Sequence, residues 1–339
     1  MKLIDLRSDT VTRPTLAMHE AMFNAAVGDD VFDEDPTVKK LERKAADLFG
    51  KEAALFCPSG TMTNQIGIRV QTQPQQEIIC EKTSHIYYYE AGGIASNSGL
   101  SMRLLDGDKG RITAQQVLDN INPDNIHQPP TSLVSLENTS NKGGGSYYEF
   151  NVLQEISKAA KDNALKTHLD GARIFNAIAE TNYTTQDIGP LFDTISICLS
   201  KGLGAPVGSL LISTSENIKK AKRIRKAMGG GMRQSGYLAA AGIYALDHHV
   251  SRLKEDHIRA KKIESELKAL SYVEEIMPVD TNIVVYRIKG NINLPLYFEY
   301  LNSNNVKALQ FGKQTIRMVT HLDFDDNMLD ELITILKKY

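Results

Sequence analysis

The sequence predicts an α/β protein. A large domain over residues 15–250 would be built on a mostly parallel sheet, with a smaller α+β domain over 251–339 and residues 1–14 as an arm packed across. Three observations lead there. Short apolar, β-branched runs at 78–80, 133–136, 167–169, 195–198 and 208–212 alternate with helical stretches, as in βαβ units. The polar residues with chemical potential cluster just after these runs, where strand carboxyl ends of such sheets gather ligands. Beyond about residue 250 the order changes to a mixture of helices and two strand-like runs, at 283–288 and 315–320.

Composition bounds the function. With 39 basic and 41 acidic side chains the net charge is −2, so no excess of positive charge points to nucleic acid or another polyanion. Cys57, Cys80 and Cys198 are odd in number and lie in apolar runs, which suits reduced thiols in a cytoplasmic protein. No apolar stretch approaches the ~20 residues of a bilayer span, and Met1-Lys-Leu-Ile-Asp5 lacks a signal-peptide core.

Taken in order, residues 1–14 form a polar, proline-ended arm, too short to fold alone, with Ser8 in the position of a capping residue. The stretch 36–50 reads as a helix: Pro36 suits the first turn, Val38, Leu41, Ala45 and Leu48 share a face, and Gly50 is the stop. Ala53-Ala-Leu-Phe-Cys57-Pro-Ser-Gly60-Thr61-Met-Thr-Asn64 reads as a buried strand, a tight turn and a helix start. Its free N–H groups suit a phosphate. After the run at 78–80 the chain carries His85 and Tyr89 into a predicted helix, and Asn125-Ile-His127 lies on a loop.

Lys166-Thr-His-Leu-Asp170-Gly-Ala-Arg173 places a carboxylate at a strand end. Ile195-Ser-Ile-Cys-Leu-Ser-Lys201-Gly-Leu-Gly204 delivers an amine from an apolar run into a glycine turn. A lysine held in such a place can attack a carbonyl. Asp170 ahead of Lys201 is the order required in enzymes that use pyridoxal 5′-phosphate (PLP), where an acid meets the pyridine nitrogen and a lysine holds the aldehyde. Each residue alone is equally a strand-ending lysine or a turn ion pair. Residues 215–270 are helical and charged, broken by Gly229-Gly-Gly231-Met-Arg233. Arg317, between Ile316 and Met318, needs an anionic partner.

These segments, with Asp5-Leu-Arg-Ser8-Asp-Thr-Val-Thr-Arg13-Pro14, Glu90-Ala-Gly-Gly93, Leu136-Glu-Asn-Thr139, Asp170-Gly-Ala-Arg-Ile-Phe-Asn176 and Arg317-Met-Val-Thr-His321, closely resemble the threonine aldolases. The resemblance runs from residue 5 to 321. It implies the fold type I of PLP-dependent transferases, PLP on Lys201, and retro-aldol cleavage of L-threonine or L-allo-threonine to glycine and acetaldehyde. It further implies that His85 stacks on the ring, Asp170 meets its nitrogen, and Gly60, Thr61, Arg173 and a neighbour's Arg233 hold the cofactor. Ser8, Arg173, Arg317 and Tyr89 would bind substrate, with His85, His127 or a water as base, no metal, and a homotetramer built as a dimer of dimers. A serine hydroxymethyltransferase-like activity, another PLP-dependent lyase or a PLP-binding regulatory protein are the alternatives. The chain departs from the family text at Phe32, Asp33 and Ser140, where tyrosine, glycine and histidine are usual.

Overall fold

The computed structural model describes residues 2–339. After Ile4–Asp5 (β1) in the arm, a seven-stranded sheet is built from Ala53–Cys57 (β2), Glu77–Glu81 (β3), Ser101–Leu105 (β4), Thr131–Glu137 (β5), Lys166–Gly171 (β6), Thr194–Cys198 (β7) and Ser209–Ser213 (β8). Its order is β2-β8-β7-β6-β5-β3-β4. Strands β3 to β7 run parallel, and β8 runs against both neighbours. The strand β4 had not been anticipated, because it lies at the sheet edge, largely half-exposed, and carries no continuous apolar run.

Both faces of this sheet are covered. Along β8, Leu210 and Ile212 enter the main core beside Phe56 and Ile195, while Leu211 between them enters a second cluster with Leu55, Cys57 and Ile66. Alternation about the strand thus feeds two apolar layers, which is why β8 is buried along its whole length. The helix Gly60–Arg69 lies close on the sheet: a Cβ at Gly67 would come within 2.9 Å of His168 Cε1. The helix Pro36–Leu48 starts at an Asp35 cap with proline in its first turn, as its sequence demands.

A second, antiparallel sheet uses Val273–Ile276 (β9), Ile283–Ile288 (β10), Leu309–Gly312 (β12) and Thr315–Val319 (β13), in the order β12-β13-β10-β9, with Val306–Lys307 (β11) between helix and sheet. The arm joins this unit: β1 pairs parallel with β11, and Ile4 and Leu6 are buried in its core. The chain then passes through Arg7 and Ser8 to Asp9, whose carboxylate meets Arg173, two residues after β6 of the large sheet. Among the described residues no helix is long and apolar enough to cross a membrane, and all three cysteines are free and buried.

Candidate active site

One cavity of about 370 Å³ receives side chains from both sheets and the arm. Strand ends supply Glu137 from β5 and Asp170 from β6, and Lys201 follows three residues after β7. His85 and Tyr89 come from the short helix His85–Tyr88 and its cap, Ser8 from the arm, and Arg317 from the middle of β13. Of the residues singled out in the sequence, Ser8, His85, Tyr89, Asp170, Arg173, Lys201 and Arg317 therefore line one cavity.

Asp170 is fixed from two sides. Its Oδ1 accepts the Ala172 N–H at 3.2 Å, and its Oδ2 accepts from Asn64 Nδ2 at 2.9 Å. Asn64 sits one turn after Gly60 in the helix Gly60–Arg69, and its Oδ1 lies 3.1 Å from His168 Nε2. Both N–H groups of Asn64 are turned to carboxylates, Asp170 and Glu90. Burial pushes the His168 imidazole down to about 4, so it is neutral, and since Asn64 gives its N–H groups to carboxylates its Oδ1 must accept, which makes Nε2 the protonated nitrogen of His168.

Register places Glu137 beside Asp170, two carboxyl groups at adjacent strand ends. Burial, then the charge of Asp170, pushes Glu137 up to about 7. Its oxygens accept the N–H groups of Asn141 and His85, both at 2.8 Å. His85 Nδ1 lies 2.9 Å from Glu90 Oε1. Burial opposes its protonation, but the bond to Glu90 and the charges of Asp170 and Glu90 outweigh that, and its pKa lies above the ordinary imidazole value.

The two arginines differ. Arg173 closes its fork on the fully buried Asp9, with Nε and Nη2 each 2.7 Å from a carboxylate oxygen. Burial alone would raise the Asp9 carboxyl, but Arg173, with Lys201 and Arg317, holds it far below its usual range. Arg317 has no carboxylate: Nη1 donates to Asn141 Oδ1 at 2.7 Å, Nη2 to the Arg7 carbonyl at 3.0 Å, and the buried Nε has no partner. Burial and the nearby Arg173 charge push it down to about 10. Ser8 Oγ caps its own turn, accepting from Thr10 N at 3.2 Å, and also lines the cavity.

Four residues singled out in the sequence lie elsewhere in this chain. Gly60 and Thr61 open the helix Gly60–Arg69, where Ser59 caps Met62 N and the first N–H groups have no partner within the helix. His127 is exposed, in a turn closed by Asn125 Oδ1. Arg233 is exposed, 2.9 Å from Asp29, with its guanidinium 5.7 Å from the centre of the exposed Phe32 ring. Of the departures from the family text, Asp33 pairs with Lys39 and Lys222 on the surface. Ser140 Oγ accepts the Gly143 N–H and packs on Gly110, so Asn141, not Ser140, faces the cavity.

Asp9, Glu90, Glu137 and Asn64 had been given no role from the sequence. The only signal was their density inside the matched motifs; their partners are distant in the chain. Together the donor set fits PLP, with an amine at Lys201 for the aldehyde, a carboxylate at Asp170 for the ring nitrogen and a flat imidazole at His85, while Arg317, hydrogen-bonded to no carboxylate, suits the carboxylate of a substrate.

Comparison with known proteins agrees with this geometry. The family model for beta-eliminating lyases matches residues 5–290. The low specificity L-threonine aldolase of Escherichia coli (strain K12) is 44% identical over 331 residues, 97% of each chain. That of Candida albicans is 41% identical over 334 residues, 97% of this chain and 87% of its own. In three dimensions the chain superposes on the Leishmania major threonine aldolase with a TM-score of 0.86 at 20% identity, covering 99% of both, which gives the fold of the PLP-dependent type I enzymes. A family match over most of the chain, and identity above two-fifths with relatives matched over nearly all of it, place this protein in the beta-eliminating lyase family, alongside the low-specificity L-threonine aldolases.

Proposed function

We propose that this cavity cleaves the Cα–Cβ bond of L-threonine and L-allo-threonine, giving glycine and acetaldehyde, with PLP held by Lys201. The observation that carries the substrate class is Arg317, a buried guanidinium hydrogen-bonded to an amide and a backbone carbonyl but to no carboxylate, lining the same cavity as Lys201 and Asp170. A buried cation of this kind is stable only where an anion completes it. An α-amino acid brings that carboxylate. Arg317 takes it, Ser8 adds a hydroxyl, and Arg173, its fork already closed by Asp9, contributes charge.

When bound, PLP supplies the electron sink for the pair left by the broken bond. Asp170 holds a proton on the ring nitrogen, and Asn64 keeps Asp170 in place. His85, which lines the cavity, would stack on the ring and take the proton of the substrate β-hydroxyl at Nε2, directly or through a water. Within one chain it is the histidine of the two that faces the cavity. Tyr89 borders the substrate side chain.

A homotetramer in the cytoplasm completes the reading. There Arg233 approaches a neighbour's phosphate. Gly60 and Thr61 hold the phosphate from the first turn of their helix. Product analysis with the four threonine stereoisomers, with and without folate, tests the proposal. Glycine and acetaldehyde from both L-isomers without folate are expected. Folate-dependent transfer, or no turnover with PLP bound, overturns it.

A further inference from the structure

The helix that the sequence predicts around His85 and Tyr89 is a single turn, and its break does something specific. After the single turn His85–Tyr88 the chain passes through Ala91 and Gly92, both at positive φ, before the next helix starts at Gly93. The turn swings Glu90 inward, so its side chain is fully buried behind His85. A buried carboxylate needs donors, and Glu90 has three. Asn64 Nδ2 reaches Oε1 at 2.8 Å, Gln65 Nε2 reaches Oε2 at 2.6 Å, and His85 Nδ1 lies 2.9 Å from Oε1. The amides are oriented by their other contacts. Asn64 Oδ1 is taken by the neutral His168, and Gln65 Oε1 accepts from Asn97. Glu90 can therefore only accept, and the imidazole nitrogen facing it must carry a proton.

We propose that Glu90 is the positioning residue of His85: it holds the imidazole with its proton on Nδ1, leaving Nε2 bare toward the cavity as the base for the substrate hydroxyl. Asn64 donates to Glu90 and Asp170 together, so one amide fixes the carboxylate behind the stacked histidine and the carboxylate of the ring nitrogen. The inference rests on the aldolase reading only for the identity of the proton that Nε2 takes.

The groups that face His85 set its protonation. They are Glu90 behind Nδ1, Asp170 from β6, Glu137 at its backbone N–H, Lys201 after β7, and the Tyr89 ring with its centroid 5.5 Å away. Glu90 and Asp170 favour the imidazolium, while burial and Lys201 oppose it. Removing the Glu90 charge therefore lowers the His85 pKa.

The test is a solid-state ¹⁵N spectrum of histidine-labelled, sedimented holoenzyme, with His85→Gln used to assign the His85 signal. At a pH above the raised His85 pKa, where the ring is neutral, wild-type protein is expected to carry Nδ1–H and a bare Nε2. Finding Nε2–H overturns the proposal without any variant. In Glu90→Gln the signal is expected to lose that single tautomer, and the acid limb of the kcat/KM profile to move to lower pH by about one unit. Glu90→Asp, which keeps the charge, holds the limb near its wild-type position. A Glu90→Gln enzyme that loses activity or melts earlier with tautomer and limb unchanged makes Glu90 merely structural and overturns the proposal. If wild-type enzyme does not cleave threonine, the aldolase reading falls while the tautomer result stands by itself.

Discussion

Arg317→Lys keeps a positive charge in the cavity and removes the planar fork. In the wild-type protein Nη1 and Nη2 each give one of their two N–H groups, to Asn141 Oδ1 at 2.7 Å and to the Arg7 carbonyl at 3.0 Å, which fixes the guanidinium at the cavity it lines and leaves a second N–H on each for a substrate carboxylate. A lysine ammonium cannot satisfy both acceptors and also present a directed N–H to that anion. The loss is one charge-assisted hydrogen bond, about 1.5–3 kcal/mol, which is roughly a ten- to 150-fold fall in kcat/KM for L-threonine. Glycine carries the same carboxylate, so its dissociation constant rises by a similar factor. Aldehyde release measures the first quantity, and titration of glycine against the visible absorbance of the cofactor measures the second. Cofactor content stays at the wild-type level, because Arg317 is not assigned to PLP. Wild-type glycine affinity and turnover, with a lowered melting temperature, would show that Arg317 only ties the arm and Asn141 together, and would refute the argument.

The remaining predictions concern the amine and the buried pair. Borohydride reduction of the holoenzyme followed by peptide mass mapping places a pyridoxyl group on Lys201; an adduct on any other lysine, or none, sinks the assignment. Asp9→Asn removes the counterion of a buried Arg173 and destabilises the fold by about 3–5 kcal/mol in chemical unfolding. A change within about half a kcal/mol would mean that solvent or another group compensates. The pH dependence follows from the depressed Asp9 carboxyl: its stabilisation is present above the unfolded value of 3.8 and is lost as pH falls toward the lower folded one. Wild-type stability therefore drops more steeply below about pH 4 than that of Asp9→Asn, and parallel acid profiles would contradict this.

Much of this protein was legible before any coordinates. The alternation of apolar runs with helices announced the parallel sheet, because strands buried on both faces read as continuous β-branched stretches. Lys201, Asp170 and Arg317 stood out because each is a polar group in or at the end of such a run, where it must have a reason to be held. The half-exposed edge strand β4 was not legible, since it satisfies no such pattern. Nor was the division of labour between the two arginines. Both were candidates for the substrate carboxylate, and only the packing of the arm, 164 residues away in sequence, closes the fork of Arg173 on Asp9 and leaves Arg317 open. The same holds for Glu90, which is ordinary in a polar segment until Ala91 and Gly92 turn it behind His85 and Asn64 reaches it from another helix. Periodicity records which residues must leave water. Hydrogen-bond partners are chosen by tertiary approach between segments distant in the chain, and a local pattern in the sequence carries no record of that choice.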